Sequence, residues 1–346
     1  MTKNIDKDNM FKAISDFPDN IIDAINIGKE IHLNNDYFHI NKIIISGMGG
    51  SAIGGDIVYT LIKNEIKVPY FVQRGYNIPQ WVDNSTLVVC SSYSGNTEET
   101  LTVFEKAKIS GAKVIGITTG GILYQECKKN NFDFIQIPSG LQPRAALAFS
   151  FVPLLFILLR LGKISDKFIS RLQSSSISLE KTKYIYNQKT DENPTWDLAK
   201  KIYNTLPIIY ADSDKLESAA IRIKGQICEN GKILCYHNIF PEMNHNEIVG
   251  WENNFEYFNN YSVIWLIDPS LNSRNSARQK IIFEMFNELN LSQYTILING
   301  DTFEERFLSL IYYGDWLSYW IAILHTTDPS PVNKISNLKN KLSKII

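Results

Sequence analysis

The chain has 346 residues, which is the length of about two domains. Its 35 Lys and Arg residues balance 36 Asp and Glu residues, so it lacks the general basic field on which a nucleic-acid-binding protein relies. Hydrophobic residues make up 44% of the chain and charged residues 21%. This composition is ordinary for a globular protein with a large core and argues against bulk disorder.

The cysteines and the apolar segments give expectations about location. The four cysteines form no C-x-x-C pair, which argues against a zinc ribbon or a thioredoxin-type site and suits a reducing cytosol. The charged segment 1–9 lacks the apolar region of a signal peptide. The most apolar stretch, 145–159, is too short to span a bilayer and contains Pro153, so the sequence predicts a buried helix there and a cytoplasmic protein.

Strand and helix patterns alternate through the first half of the chain. Short apolar runs that end at glycine or polar clusters predict buried strands. Helical patterns lie between them, and the alternation predicts a mostly parallel sheet with helices on both faces. The strands are predicted at 42–46, 69–73, 86–91, 113–117 and 132–137, and the helices at 52–63, at 98–109 and between the last two strands.

A second alternation of the same kind follows a largely helical segment at 142–189. Strands are predicted at 206–211, 261–268 and 294–299, and helices at 215–228, 274–290 and 303–325. We therefore expect an α/β protein with two doubly wound, mostly parallel sheet domains of the flavodoxin-like three-layer α/β/α type. The expected boundaries are 1–155 for the first domain, with 1–40 a helical lead-in, 156–195 for a helical connecting arm, and 196–346 for the second domain and its final helix.

The first glycine-rich turn, Ser46–Ala52, follows a predicted strand and opens a helix. Its glycines let backbone amides approach an anion, and the helix N-terminus adds partial positive charge. The spacing also matches the G-x-G-x-x-A dinucleotide fingerprint, but Gln73 and Arg74 stand where the ribose-binding acid is expected. This disfavours NAD, whereas Arg74 leaves NADP open. A tight turn without a ligand is the alternative.

The second turn, Ser91–Thr97, concentrates four hydroxyls at the next helix N-terminus. Hydroxyl and amide donors without a lysine suit a sugar phosphomonoester, which is held by hydrogen bonds and the helix dipole. A nucleotide triphosphate would need the lysine of a P-loop, which this turn lacks. The alternative is an N-terminal cap, for which one hydroxyl is enough.

Both turns, SGMGGSA and SSYSGNTEET, resemble those of the sugar isomerase (SIS) domain. Three internal segments (QPRAA at 142–146, CENGK at 228–232 and PEMNHNEIVGWE at 241–252) and a C-terminal DPSPV resemble the bifunctional phosphoglucose/phosphomannose isomerase family. The resemblance implies two SIS-type domains and an aldose–ketose isomerase without cofactor or metal. Such an enzyme interconverts glucose 6-phosphate and fructose 6-phosphate, and also mannose 6-phosphate and fructose 6-phosphate, by ring opening and cis-enediol proton transfer.

The resemblance also assigns the phosphate of the substrate to the two turns. In the family, side-chain hydroxyls and nearby backbone amides bind this group. The corresponding residues here are Gly50, Ser51, Ser92, Tyr93, Ser94 and Thr97.

Catalytic roles follow from the same resemblance. It makes Glu229 the base that moves the proton between C2 and C1, and Arg144 the positive charge near the enediolate. It makes His245 an aid to ring opening that is shared across a homodimer interface. The lysine of the last helix corresponds by motif to Lys339, and Lys334 is the alternative.

A hydroxyl upstream of that lysine is implied to set the choice of sugar. It lets the family accept mannose 6-phosphate by making room for a water near C2. Thr327 and Ser330 are both candidates. Ser330 stands where much of the family has threonine, and this departure bears on dual specificity rather than on isomerase activity.

Three other functions would use parts of the same sequence. A non-catalytic sugar-phosphate sensor would keep both turns, but it would not need Glu229, His245 and Arg144 together. The segment before Lys42 is also short for a DNA-binding helix-turn-helix. An NADP-linked oxidoreductase would use only the first turn. A glutamine-dependent aminosugar synthase would need a catalytic cysteine near residue 1, whereas the first cysteine is Cys90.

Overall fold

The fold is described by a computed structural model, which covers residues 5–345. Contacts between residues divide the chain into two compact units. The N-terminal unit comprises Asp16–Glu180 and Gly300–Leu308. The C-terminal unit comprises the described parts of Met1–Ser15, Lys181–Asn299 and Ser309–Ile346, and it includes the first helix, α1 (Met10–Ser15).

The N-terminal unit is built on a parallel sheet with the strand order β2-β1-β3-β4-β5, and helices lie on both sides of it. This is the flavodoxin-like order, in which the first strand lies inside the sheet. The strands are β1 (Lys42–Ser46), β2 (Tyr70–Gln73), β3 (Thr86–Ser91), β4 (Lys113–Thr118) and β5 (Asp133–Gln136). The helices are α2 (Phe17–Lys29), α3 (Gly49–Ile62), α4 (Glu98–Ile109), α5 (Gly121–Lys129), α6 (Leu147–Arg160) and most of α7 (Lys167–Tyr186).

Buried apolar strands and helices form the core of this unit. Ile43, Ile44 and Ile45 of β1 are all 0% exposed, as expected for a strand that helices cover on both faces. The stretch predicted as a buried helix is α6, in which residues 147–158 are all buried although Pro153 lies inside the helix. These two apolar runs therefore mark elements that are covered on every side.

The C-terminal unit repeats this design with a parallel sheet in the order β7-β6-β8-β9. The strands are β6 (Leu206–Asp212), β7 (Tyr236–Phe240), β8 (Tyr261–Ile267) and β9 (Ser292–Leu297). The helices are α8 (Pro194–Ile202), α9 (Glu217–Glu229), α10 (Ser273–Glu288), α11 (Phe303–Leu324, whose first turns belong to the N-terminal unit) and α12 (Asn333–Leu342). Three 3-10 segments lie between β7 and β8, at Glu242–His245, Glu247–Glu252 and Phe255–Asn260.

The predicted fold class is confirmed, and the predicted strands and helices agree with observed ones to within a few residues. The sequence analysis missed β7, because this edge strand is mostly exposed or half-buried and lacks the apolar run of the other strands. It also missed α8. The side chain of Asn193 caps this helix by accepting hydrogen bonds from the amides of Thr195 and Trp196, and a proline follows the cap.

The compact units divide the chain differently from the predicted domain boundaries. α1 belongs to the C-terminal unit, where the Phe11 ring packs edge-on against Trp316 at a centroid distance of 5.1 Å. α7 crosses the division at residue 180, and the segment after residue 300 lies in the N-terminal unit, where Glu304 pairs with Arg171. The boundaries 1–155, 156–195 and 196–346 stay a prediction about domains.

Within residues 5–345, one helix has the length and composition of a membrane-crossing segment. This helix is α11, and 94% of its most apolar window is buried inside the protein. Its aromatic side chains pack on one another, with the Trp316 and Trp320 rings stacked at a centroid distance of 5.9 Å. Core burial therefore accounts for the apolar character of this helix.

The carboxylate of Asp133 joins the segment before β1 to the start of β5. It is 6% exposed and accepts hydrogen bonds from the backbone amides of Asn34 and Asn35 (both 3.0 Å) and from the Tyr37 hydroxyl (2.7 Å). The two asparagine side chains also donate to it, both at 3.1 Å. Burial alone would raise the pKa of Asp133, but these hydrogen bonds outweigh it and hold the pKa below its usual value.

Replacement of this carboxylate tests its role. Asp133→Asn is expected to destabilise the protein by about 2–3 kcal/mol at neutral pH, because the charged acceptor of one buried and several partly buried donors is lost. The wild type should have the larger free energy of unfolding, and its full excess over Asp133→Asn should be present above the unfolded-state pKa of about 3.9. This excess should shrink as the pH falls through the lower folded-state pKa of Asp133. Urea denaturation at neutral pH and at about pH 3 measures this difference.

The exposed neighbour Asp36 provides the matched control, since it lies on the same segment and outside the buried cluster. Asp36→Asn should change the free energy of unfolding by less than about 0.5 kcal/mol. If the free energies of unfolding of wild type and Asp133→Asn differ by the same amount at both pH values, the result would contradict a stabilising role of the ionised carboxylate.

Candidate active site

The first turn joins β1 to α3 in the N-terminal unit. α3 begins at Gly49, which has a φ of 51°, a conformation that glycine adopts without strain. A Cβ on Gly47 would lie 3.0 Å from the carbonyl oxygen of Ser91, so the first turn touches the start of the second. Ser51 is buried in the first turn of α3. The glycines thus permit a close approach of the two turns beside a helix N-terminus that favours anions.

The second turn joins β3 to α4. The hydroxyls of Ser92 and Thr97 are hydrogen-bonded to each other at 2.8 Å. Thr97 is the N-cap residue of α4, but its hydroxyl makes no capping hydrogen bond within the described chain. The Ser94 hydroxyl accepts a hydrogen bond from the Asn96 amide at 3.2 Å. The hydroxyls of this turn therefore do not serve as the helix cap, which favours the interpretation that they bind a ligand.

The connection between β4 and α5 holds the second turn in place. Gly95 has a φ of 70°, and a Cβ at this position would lie 1.8 Å from the carbonyl oxygen of Gly120. The Leu123 amide donates to the Gly95 carbonyl oxygen at 2.9 Å, and the Ile122 amide donates to the Asn96 side chain at 3.0 Å. Glycine is therefore required at position 95 both by the backbone conformation and by the lack of space.

The order of the strands brings both turns to one crevice. β1 and β3 are adjacent and parallel, so the turns that follow them leave the same edge of the sheet. The chain goes from β1 to β2 on one side and then crosses to β3 on the other. Open parallel sheets bind ligands at such a switch point, where two helix N-termini converge. The crevice suits an anion with several acceptor oxygens, such as a phosphate group.

The loop that contains the QPRAA segment lies against both turns. A Cβ on Gly50 would be 3.0 Å from the carbonyl oxygen of Pro143 and 3.7 Å from the Cα of Arg144. The Leu141 amide donates to the Tyr93 hydroxyl at 3.0 Å, which ties the loop to the second turn. Arg144 is 4% exposed. The backbone of Arg144 therefore lies beside the first turn, and its side chain is buried.

The C-terminal unit has the same strand arrangement but a different crevice. β6 and β8 are adjacent and parallel, and a buried carboxylate, Asp212 or Asp268, lies at the end of each. Asp212 accepts hydrogen bonds from the Lys215 amide (2.8 Å) and the Asn275 side chain (2.7 Å), and Asp268 accepts one from the Ser270 amide (2.8 Å). Two carboxylates at this position disfavour an anion, so the two crevices are not equivalent.

Glu229 is the last residue of α9 and lines a cavity of about 530 Å³ in the C-terminal unit. Two lysines, a threonine, a second acidic residue and several apolar residues line this cavity together with Glu229. The lining residues are Cys228, Glu229, Lys232, Thr327, Asp328, Pro331, Val332, Asn333, Lys334 and Ile335. A carboxylate and proton donors in one cavity are the groups that general acid–base chemistry uses.

The cavity distinguishes the residues that the sequence left as alternatives. Among the residues that the structure describes, Lys334 lines the cavity and Lys339 does not. Lys339 is exposed on α12, about a turn and a half further along. Thr327 is half-buried and lines the cavity, whereas Ser330 is 0% exposed and its amide donates to Asp328 at 3.0 Å. Lys334 and Thr327 therefore line the same cavity as Glu229.

His245 lies on an exposed 3-10 segment that a partly buried network supports. Glu247 accepts a hydrogen bond from the Tyr210 hydroxyl at 2.5 Å and another from the Asn238 side chain. The Trp251 indole donates to the same Tyr210 hydroxyl at 3.1 Å. Burial raises the pKa of Tyr210, so its phenol stays protonated and donates to the carboxylate. The network fixes the backbone next to His245 to β6 and β7.

A buried ion pair holds α9 against α11. Arg222 donates to the two carboxylate oxygens of Asp315 at 3.2 and 3.0 Å, and both side chains are buried. At the end of α9, Asn230 donates to the Ser318 hydroxyl at 3.0 Å, and this hydroxyl donates to the Asp315 carbonyl oxygen at 2.7 Å. The end of the helix that carries Glu229 is thus attached to α11 by directional bonds.

Two family models match the chain. The SIS domain matches residues 36–156, and the bacterial phospho-glucose isomerase C-terminal SIS domain matches residues 191–342. A bifunctional phosphoglucose/phosphomannose isomerase from Caldicellulosiruptor bescii is 43% identical over 97% of this chain and 99% of its own length. The chain belongs to the bifunctional phosphoglucose/phosphomannose isomerase family.

A second member of this isomerase family, from Aquifex aeolicus, is 34% identical over 87% of the chain and 90% of its own length. The fold extends to more distant proteins. The tagatose-6-phosphate ketose/aldose isomerase from Escherichia coli is 15% identical and superimposes with a TM-score of 0.69, covering 93% of this chain and 95% of that one. The family assignment agrees with the resemblance that the two turns and the C-terminal motifs carry.

The structure shows two contacts in the candidate site of this isomerase family member that the sequence analysis missed. Lys232 lines the cavity with Glu229, and the Tyr93 hydroxyl holds the loop before Arg144. A lysine within a few residues of a helix end can donate to its last carbonyl oxygens, and this pattern could have drawn attention to Lys232. No sequence pattern marks the contact of Tyr93 with residue 141, since it depends on how two loops pack.

Within residues 5–345, no group of three or more His, Cys, Asp or Glu side chains could hold a metal ion.

A pair of glycine substitutions tests the rigidity of the second turn. Gly95 and Gly111 have nearly the same φ, 70° and 72°, but no described atom lies within 4 Å of a Cβ built on Gly111. Gly111→Ala should cost about 1–2 kcal/mol from backbone strain alone. Gly95→Ala should cost at least about 2 kcal/mol more, because the turn must move away from Gly120. Urea denaturation of both variants measures the difference, and equal losses would contradict the close contact.

Proposed function

We propose that this protein interconverts glucose 6-phosphate with fructose 6-phosphate and mannose 6-phosphate with fructose 6-phosphate. The observation that carries the proposal is the cavity at Glu229, where a carboxylate, lysines and a threonine meet. The relatives that bear this activity in their names match nearly the whole chain, which supports it. The hydroxyl-rich crevice of the N-terminal unit supports a substrate with a phosphate group.

The phosphate of the substrate is assigned to the two turns of the N-terminal unit. The hydrogen-bonded pair of hydroxyls and the two helix N-termini supply donors and partial positive charge for a doubly charged group. The buried charge of Arg144 favours the same anion and, later in the reaction, the enediolate. The phosphate ligands are Gly50 and Tyr93 through their amides and Ser51, Ser92, Ser94 and Thr97 through their hydroxyls.

Glu229 is assigned to the proton transfer between adjacent carbons. In the open-chain aldose, its carboxylate takes the proton from C2, and the C2–H electron pair forms the C1–C2 double bond of the enediolate. The former aldehyde oxygen gains the negative charge and is protonated. The same carboxyl then delivers its proton to C1, while the C2 hydroxyl loses its proton and becomes the ketone. One carboxylate thus serves as base and acid in turn.

Ring opening needs a proton donor for the ring oxygen and an acceptor for the proton of the anomeric hydroxyl. Lys334 is the better candidate for this role because it lines the cavity, and Lys339 is the alternative from the motif. His245 is proposed to assist from the partner subunit of a homodimer, and its exposure supports this arrangement. We expect the reaction to take place in the cytoplasm, in glycolysis and gluconeogenesis.

Thr327 is proposed as the hydroxyl that bears on the choice between the sugars. Glucose 6-phosphate and mannose 6-phosphate differ only in the configuration at C2, the carbon that Glu229 deprotonates. Thr327 lines the same cavity as Glu229, whereas Ser330 is fully buried. Ser330 would act on the sugar indirectly, through the conformation of the loop that it shares with Thr327.

The first test is the formation of fructose 6-phosphate from each aldose, with EDTA present. The wild type should convert both sugars, and Glu229→Gln should lower kcat on both by about a thousandfold, because an amide cannot accept the C2 proton. Glu284→Gln, which changes an exposed carboxylate of α10, is the matched control and should keep the wild-type rate.

The outcomes of this assay separate the candidate functions. A wild type that binds glucose 6-phosphate but converts neither sugar would overturn the isomerase and favour a non-catalytic sensor. Conversion of glucose 6-phosphate alone would keep the mechanism and remove the mannose activity. Full activity of Glu229→Gln would overturn the role of Glu229 while keeping the reaction.

The two lysines of α12 form a matched pair for a second test. Lys334→Met is expected to lower kcat by roughly a hundredfold, because the cavity loses a proton donor, whereas Lys339→Met should stay within about twofold of wild type. Both residues are exposed on one helix, so both variants should fold equally well. Steady-state rates of both variants decide which lysine assists ring opening. A large loss in Lys339→Met with little change in Lys334→Met would support Lys339.

A further inference from the structure

The backbone of the cavity contains two unusual conformations. Within residues 5–345, six non-glycine residues have a positive φ, and four of them are asparagines, which adopt this conformation more readily than other residues. The remaining two are Lys232 (φ 59°) and Thr326 (φ 54°). Lys232 lines the cavity at Glu229, and Thr326 precedes Thr327, which lines it as well. Left-handed strain thus concentrates at the two segments that border the proposed catalytic carboxylate.

Glycine would be the residue expected at position 232 if only the backbone mattered. The position lies two residues beyond the C-cap of α9, and its left-handed φ of 59° favours glycine, which has no Cβ. A lysine there raises the energy of the folded backbone. Its side chain must therefore contribute something that glycine cannot.

The Lys232 ammonium joins two segments of the cavity wall. It donates to the carbonyl oxygen of Glu229 at the end of α9 and, at 3.0 Å, to the carbonyl oxygen of Pro329. A cation at a helix C-terminus is favourable in itself. The contact with Pro329 is of a different kind, since it holds a loop distant in sequence next to the catalytic end of the helix.

The loop from Thr327 to Pro331 is otherwise held from its other side. The Thr327 amide donates to the Ala322 carbonyl oxygen at 2.9 Å and its hydroxyl to the His325 carbonyl oxygen at 3.2 Å. These bonds fix the start of the loop to the end of α11. Lys232 ties the middle of the loop to the end of α9, because its ammonium donates to carbonyl oxygens on both segments.

We propose that Lys232 is a positioning residue that sets the loop with Thr327 and Ser330 against Glu229 and thereby sets the preference between the C2 epimers. The inference rests on the proposed function and deepens it. The two aldoses differ at C2 alone, so their discrimination depends on where the hydroxyl-bearing loop lies relative to the base. A shift of the loop by a fraction of an ångström alters the two rates unequally, whereas a loss of stability alone would leave their ratio unchanged.

Three substitutions of Lys232 test this role. Lys232→Gly relieves the backbone and removes the side chain, Lys232→Met keeps the aliphatic stem, and Lys232→Arg keeps a cation with several donors. The measurements are the free energy of unfolding and the ratio of kcat/KM for mannose 6-phosphate to that for glucose 6-phosphate. Asn290→Gly is the control, because it relieves a left-handed residue (φ 56°) beyond α10 and outside the cavity.

The expected result is a change of the ratio by about tenfold or more in Lys232→Gly and Lys232→Met, with a lower kcat. Lys232→Arg should restore most of the wild-type ratio. Lys232→Gly should be folded and at least as stable as Lys232→Met, and Asn290→Gly should keep the wild-type ratio.

A wild-type ratio in Lys232→Gly and Lys232→Met would overturn the inference while leaving the isomerase in place. Equal losses on both sugars would overturn it too, since they would indicate a general effect on catalysis. A wild type that converts neither sugar would instead overturn the proposed function, and the inference with it.

Discussion

The order of the parallel strands is the constraint on which the N-terminal unit depends. Parallel neighbours require a crossover, usually through a helix, and a chain that starts inside the sheet must cross from one side to the other. This leaves the carboxyl ends of β1 and β3 side by side, so two helix N-termini meet at one crevice. The residues of the two turns then decide what the crevice holds. Gly47 permits the contact with Ser91, and the hydroxyls of Ser92 and Thr97 supply donors for an anion.

The C-terminal unit shows that the same topology does not dictate the same chemistry. Its strand order repeats that of the first sheet, but Asp212 and Asp268 occupy the corresponding turns and are hydrogen-bonded to them. The carboxylate that we propose as the base lies elsewhere in this unit, at the C-terminal end of α9. The two halves of the chain therefore share an architecture and differ in the residues that follow their first and third strands.

Local features of the sequence predicted the fold class, both turns and every described strand except β7, because these depend on apolar runs and on glycine and hydroxyl residues that lie close together in the chain. The cavity at Glu229 depends instead on how the end of α9 packs against a loop about a hundred residues later. Spacing alone could not show that Lys334 rather than Lys339 lines it, or that Ser330 is fully buried. The phosphate ligands, the role of His245 and the homodimer stay predictions, since they rest on the family resemblance.

The groups around Glu229 are held by interactions that add little net stability. A buried ion pair such as Arg222–Asp315 gains little over a well-packed apolar pair, because the loss of hydration offsets most of the attraction. The left-handed backbone at Lys232 and Thr326 is destabilising. Such features persist only where the surrounding structure compensates for them, here through the large aromatic core on α11. What they provide is a fixed geometry between a carboxylate and a loop before any ligand binds. Preorganisation of this kind matters most for a base that must reach two adjacent carbons in succession.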